Sequence, residues 1–354
     1  MKKNYDIIDF MKMVAAIFVV GIHTNPFYSY SLNLNTLFRI LARLAVPLFF
    51  ISSGFLIAKK VDLIDSFYEK RKYIIHYIKR IIILFISWYI VNLPFSIYFS
   101  VKNKEGMIYF VKRYIISVFI TDSYNGGWYL TATVIGVIIV FLLILRDNTK
   151  VNYILLVIIS ILLFSLAILN SEFYNLKLTN NFVTEIYLFS KKHIQWALSP
   201  VVAPIYLSIG ILAKKGESKI EKIDIKWLLL FDTVFGIIMF YEVHLIRLYK
   251  LQGADDQFMS LVPMSFFLFI TVLKFKESNI PYSKNMREFS TICFFGQFIW
   301  LYLLNIYHQN IISRLILSNS LIKFSLNIVL SFILYILIES LLKRNKLLFL
   351  RKLF

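Results

Sequence analysis

Cysteine is almost missing from this sequence: Cys293 is the only one in 354 residues, and it lies inside an apolar run. That excludes a disulfide framework and a CxxC metal or redox site. Acidic residues are scarce as well, 20 Asp and Glu against 39 Lys and Arg, and no His, Cys or carboxylate pattern has metal-ligand spacing, so no metal is expected. Glycine (11) and proline (7) are too few for a collagenous or low-complexity chain. Apolar residues take their place. With 59% hydrophobic residues and a mean hydropathy of +0.71, the chain reads as a multi-pass protein of the cell membrane, with lipids as its surroundings. The net charge of +19 lies in short clusters between apolar runs and not on a recognition helix, so it sets topology and excludes nucleic acid as a partner.

Runs long enough to cross about 30 Å of hydrocarbon occur near 7–24, 37–58, 74–101, 128–145, 151–169, 198–213, 227–246, 258–273, 289–311 and 321–342. The expected fold is therefore all-α, a transmembrane helical bundle of about ten spans. Positive connectors follow the second, fourth, sixth, eighth and tenth runs, whereas Asn25–Thr36 has no charge. Both termini are then expected to be cytoplasmic. The first run holds Lys12 and ends in His23-Thr24-Asn25-Pro26 without a cleavage pattern, so it is expected to stay as the first span. Met107–Ile120, interrupted by Lys112 and Arg113, suits a surface-lying amphipathic helix. Phe182–Phe189 is too short to cross and suits a re-entrant or packed segment. No internal repeat is visible, and residues 1–354 read as a single membrane domain without a soluble one; its oligomeric state, including a homo-oligomer, is left open.

Lys12 and His23 share one face of the first helix, differing by about 20° around it and by roughly 16 Å along it. Ionisable groups in a span are costly to bury, so this stripe should face a protein interior or a wet cavity. A second reading stands beside it, in which Lys12 snorkels to the interface and His23 is a hydrogen-bonded cap next to Asn25 and Pro26. The expected topology sorts the polar residues into two groups. Lys12, Ser52, Ser53, Gly54, Lys79 and Arg80 fall on the cytoplasmic side, and cations beside a small-residue break suit a phosphate-bearing ligand. Lipid headgroups are the competing partner for Lys79 and Arg80. His23, Trp128, Tyr129, Glu242, His244, Asp255, Asp256 and Asn305 fall on the outer side, where a histidine near carboxylates and aromatics suits general-base activation of a hydroxyl. Trp128 and Tyr129 also suit an interfacial belt. Arg43, inside the second run, needs a carboxylate partner, for which Glu242 is a candidate.

Lys12-x10-His23 resembles the Arg/Lys-x10-His signature of the acyltransferase family 3 membrane proteins, and Phe49-Phe50-Ile51-Ser52-Ser53-Gly54-Phe55 resembles that family's FF-x-x-SGF segment. Tyr77-Ile78-Lys79-Arg80 is similar to the basic segment of its third span, and Trp128-Tyr129-Leu130 to its later Trp-Tyr/Phe-Leu motif. Three further segments, Arg43–Pro47, Pro204–Gly210 and Gly296–Leu304, resemble the membrane domain of the vancomycin-resistance serine racemases, without the racemase domain. Lys12 stands where the family often has Arg, and Asn305 where it commonly has His, which leaves His23 as the base supported by a motif.

The resemblance implies an O-acyltransferase with acyl-coenzyme A, specifically acetyl-coenzyme A, as donor. Lys12, Lys79 and Arg80 would hold its phosphates, Ser53 and Gly54 would line its pantetheine arm, and His23 would be the catalytic base. A small-molecule or cell-envelope glycan acceptor would lie on Arg43, Trp128, Tyr129, Glu242, Asp256 and Asn305. The alternative is a small-molecule permease, for instance for serine, in which Arg43, Glu242 and His23 bind a zwitterion and no acyl group moves. A sensor or partner subunit without turnover is a third reading.

Overall fold

A computed structural model describes residues 5–119, 126–144, 149–173, 175, 185, 188, 195–251, 256–276, 278–344 and 347–354. All regular structure among them is helical: α1 (Asp6–Thr24), α2 (Leu32–Ala42), α3 (Ala45–Val61), α4 (Phe67–Lys102), α5 (Met107–Phe119), α6 (Trp128–Ile144) and α7 (Lys150–Ser171). These are followed by α8 (Ala203–Lys215), α9 (Ile225–Leu248), α10 (Leu261–Leu273), α11 (Ser283–Ile306), α12 (Ile311–Ser318) and α13 (Ser320–Lys343). A polytopic helical bundle is thus the fold, because hydrocarbon offers no partner for backbone N–H and C=O groups and helices satisfy their own.

Each expected run carries a helix. Among the described residues, 7 helices are long and apolar enough to cross a membrane, and α6 and α10 are shorter apolar helices. The run at 198–213 begins in 3-10 turns around Ser199-Pro200, and the 13-residue α8 follows with Pro204 in its first turn. The run at 37–58 is divided at Arg43, where α2 ends and α3 begins. The segment Phe182–Phe189 lies outside the described residues apart from Glu185 and Leu188.

Packing divides the chain into two compact units. Unit 1 comprises residues 1–46, 86–104 and 272–354; unit 2 comprises 47–85 and 105–271. In unit 1, α1 packs on α11 and α13, and those two pack on each other. Trp88 of α4 fills the space beside Phe295 (5.6 Å between centroids) and Gly296. In unit 2, α6, α7 and α8 pack together, and Tyr206 of α8 stacks on Phe50 of α3 at 6.4 Å. Gly54 and Gly210 make the α3–α8 crossing possible. A Cβ on Gly54 would lie 2.2 Å from the Leu207 carbonyl oxygen, and one on Gly210 would lie 2.0 Å from that of Ile51.

Candidate functional site

Asn25 ends α1 in a left-handed cap (φ 53°), its N–H returning to the Gly21 carbonyl at 2.9 Å, and Pro26 then prevents continuation. The cap is therefore made by Asn25 and does not require His23. The His23 ring instead meets Phe298 of α11 edge-on at 4.8 Å. It keeps accessible surface although protein groups surround it, as a side chain lining a wet crevice does. Arg43 and Arg39 are the charges that act on it. The Phe38 ring fills the notch at Gly21, where an added Cβ would collide with it. Phe38 also packs edge-on against Phe18 and Phe27, at 5.7 and 5.6 Å, which docks α2 on α1. Arg39 was not among the sequence candidates. The available signal was its position one helical turn before Arg43.

Lys12 has a different setting from its partner on the stripe. Buried Asp9 accepts from Arg287 Nη1 at 3.3 Å, and the Lys12 charge acts on the same carboxylate. Asp6 accepts from the Ser283 hydroxyl at 2.9 Å nearby, so the first turns of α1 and α11 share one charge cluster. Asn305 is exposed near the end of α11, and its backbone carbonyl meets His308 Nδ1 at 2.9 Å.

The remaining sequence candidates belong to unit 2. Ser53 hydrogen-bonds the side chains of Tyr77 and Tyr129, Tyr129 also engages Thr133, and the Ser53 hydroxyl donates to the Phe49 carbonyl at 2.9 Å. The Tyr129 ring lies against Phe50 and Phe49, at 4.8 and 5.8 Å, with buried Trp128 beside Phe50 at 6.3 Å. Two motifs far apart in sequence thus meet in one hydroxyl cluster. Lys79 and Arg80 are exposed on α4. A cavity of about 80 Å³ runs from Gly54 between the aliphatic faces of α3, α6 and α8 to Asp62, Lys70, Tyr153 and Lys215. The Lys215 ammonium lies 3.8 Å over the Tyr153 ring.

Glu242 is tied to the start of α10. Its carboxylate accepts from the Met259 and Ser260 backbone N–H groups, both at 2.9 Å, and from the Ser260 hydroxyl. It caps the start of α10 from α9. Glu172, missed in the sequence, accepts from the same Met259 N–H at 3.2 Å. Burial, a hydrogen bond to Glu242 and the charge of Glu242 push the Glu172 carboxyl up to about 9, so this pair holds a proton at neutral pH. Asp256 continues the same structural seam, its backbone N–H donating to the Ser171 hydroxyl at 3.1 Å. Among the described residues no group of side chains is arranged to hold a metal ion.

Comparison with known proteins agrees with this architecture. Residues 5–344 match the acyltransferase family 3 model, described as an acyltransferase domain. Two amino-acid racemases of Enterococcus faecalis are similar to this chain. One is 24% identical over 277 residues, covering 77% of this chain and 36% of the racemase. The other is 26% identical over 340 residues, covering 94% and 46%. The chain therefore spans less than half the length of each. No solved structure matches it. With a family match over nearly its whole length and its many apolar helices, the chain belongs to the acyltransferase family 3 of multi-pass membrane proteins.

Proposed function

We propose that the protein is an O-acyltransferase that moves an acyl group, specifically acetyl, from cytoplasmic acyl-coenzyme A to a hydroxyl of a cell-envelope glycan or other small acceptor. The observation that carries this reading is His23: an accessible imidazole inside a membrane helix, walled by Phe298 and flanked by arginines, in a chain of the acyltransferase family. An intramembrane ionisable group is rarely kept without a use. His23 takes the proton of the acceptor hydroxyl as its oxygen attacks the thioester carbonyl, then gives that proton to the departing thiolate. Lys12, Lys79 and Arg80 are assigned to the donor phosphates on the family resemblance. The slot between Gly54 and the Lys70/Lys215 mouth supports an amphiphilic anion as ligand, since it pairs an apolar interior with cations.

Purified protein incubated with acetyl-coenzyme A and candidate acceptors should release free thiol, and His23→Ala should abolish most of that release. Robust transfer that survives His23→Ala would sink the mechanism. The likeness to amino-acid racemases favours one second reading, a permease for an amino acid such as serine. It expects solute uptake into proteoliposomes and no thiol release.

A further inference from the structure

The slot in unit 2 is polar at one end only. Its inner end is formed by Gly54 of α3, Val137 of α6 and Leu207 of α8, and its mouth by Asp62, Lys70, Tyr153 and Lys215. From Gly54 to Asp62 and from Leu207 to Lys215 the two ends are eight positions apart, about 12 Å of helix rise. Between them, among the described residues that line the slot, the walls are aliphatic apart from the Phe141 ring, and no side chain there can donate or accept a hydrogen bond. The helix backbones that frame it hold their own hydrogen bonds. The inner end stops at the α3–α8 crossing, where a Cβ on Gly54 would meet the Leu207 carbonyl oxygen.

These walls discriminate between ligands. The pantetheine arm of coenzyme A carries two amides, and in this slot both would lose their water without gaining a partner. A hydrocarbon chain asks for no partner and makes dispersion contacts along the whole lining. The mouth adds charge: two ammonium groups and one carboxylate, one positive charge in excess. The Lys215 ammonium is exposed and lies 3.8 Å over the Tyr153 ring, while Lys70, in the first turn of α4, is half-buried. The connectors at this end lean the same way. Residues 59–72 hold five cations and three acids, 146–150 two and one, and 214–226 five and three. Of these acids, Glu69 pairs with Lys72 and Glu217 with Lys214. Helix ends of this composition stand at the membrane surface, where anionic headgroups gather around Lys and Arg.

We propose that the slot is a binding site for an anionic phospholipid of the surrounding leaflet, with one acyl chain between α3, α6 and α8 and the phosphate between the Lys70 and Lys215 ammonium groups. Asp62 offsets one of the two cations, so a head with a single negative charge matches the mouth. The second acyl chain stays in the bilayer. The slot is then distinct from the path of the donor's pantetheine arm. No step of acyl transfer enters, so the site stands or falls separately from the role of His23.

The test uses the full chain, delipidated in maltoside detergent, and follows lipid retention by native mass spectrometry together with the melting temperature. Dioleoyl phosphatidylglycerol is expected to be retained as a single molecule and to bind about tenfold or more tightly than dioleoyl phosphatidylcholine, the range of one charge-assisted hydrogen bond. Dihexanoyl phosphatidylglycerol, the same head on short chains, should bind far more weakly, and glycerophosphate should not raise the melting temperature. Ala58→Leu fills the slot from α3 and should abolish retention. Lys70→Gln combined with Lys215→Gln should bring phosphatidylglycerol down to the level of phosphatidylcholine, whereas Lys219→Gln, outside the slot, should change neither. Should Ala58→Leu fail to fold, the comparison of dihexanoyl with dioleoyl lipid on the wild-type chain decides the chain site by itself. Equal retention of the two headgroups, a preference that survives the double Gln variant, or a dihexanoyl lipid bound as tightly as the dioleoyl one overturns the proposal. Displacement of phosphatidylglycerol by acetyl-coenzyme A overturns it as well and returns the slot to the donor.

Discussion

Unit 1 and unit 2 both carry polar groups on apolar helices, and they dispose of them in different ways. In unit 2 the hydrogen bonds close on themselves: Ser53, Tyr77, Tyr129 and Thr133 engage one another, and Glu242 and Glu172 are taken up by the start of α10. In unit 1 the His23 imidazole near the Asn25 end of α1 keeps accessible surface, meets Phe298 edge-on and feels the charges of Arg43 and Arg39. An intramembrane polar residue is therefore not informative by its depth alone. What separates a structural group from a chemically available one is whether its hydrogen-bonding capacity is already committed.

The sharpest way to break this comparison is to exchange roles between the units. His23→Ala should lower acyl transfer by about 10²–10⁴-fold, the range for losing a general base, with little change in thermal unfolding. Thiol release and a melting curve on the same sample check both halves. In unit 2 the order is reversed. Gly54→Leu and Gly210→Val should destabilise the protein by roughly 1–3 kcal/mol or more through overpacking, because the added carbon meets backbone and not a movable side-chain tip. If Gly54→Leu melts normally and loses only donor binding, its role in the ligand slot outweighs its role in the helix crossing.

A smaller effect is expected at the α10 cap. Glu242→Ala leaves the Met259 and Ser260 N–H groups without their acceptor and should cost about 1–3 kcal/mol in thermal or denaturant unfolding. Transfer per folded molecule should stay near wild type, and a selective loss of activity would return Glu242 to the acceptor site.

The last effect is a slope with pH. Because the Glu172 carboxyl is raised from 4.5 to about 9, the folded chain retains a proton that the unfolded chain has released. Its contribution to stability is full below about pH 4.5 and falls as pH rises towards about 9. Glu172→Gln, which keeps a hydrogen-bonding group without ionising, should flatten the dependence of melting temperature on pH across that window. An unchanged slope would remove Glu172 from the proton-sharing pair.

Several parts of the site are legible in the amino-acid sequence. The Lys12–His23 face follows from helical periodicity, and the apolar runs mark where helices form. Other parts are not. For Glu242 and Asp256 the sequence offers a depth but no partner: the Glu242 carboxylate meets the start of another helix, and the backbone of Asp256 is tied to Ser171. Glu172 passes unnoticed beside the end of α7 because nothing local distinguishes it from an interfacial carboxylate.

The sequence by itself determined that this protein is a helical bundle in a membrane, because long apolar segments leave the backbone no way to satisfy its hydrogen bonds except within each helix. It also determined which residue types are available for chemistry. Only the tertiary structure decided what each of them meets. Gly54 meets the Leu207 backbone at a helix crossing, the Glu242 carboxylate accepts from Met259 and Ser260, and Phe38 docks α2 on α1 at the notch of Gly21. Each of these outcomes depends on a partner distant along the chain or on a helix-to-helix fit. Local periodicity sets the direction of a side chain but not what it meets.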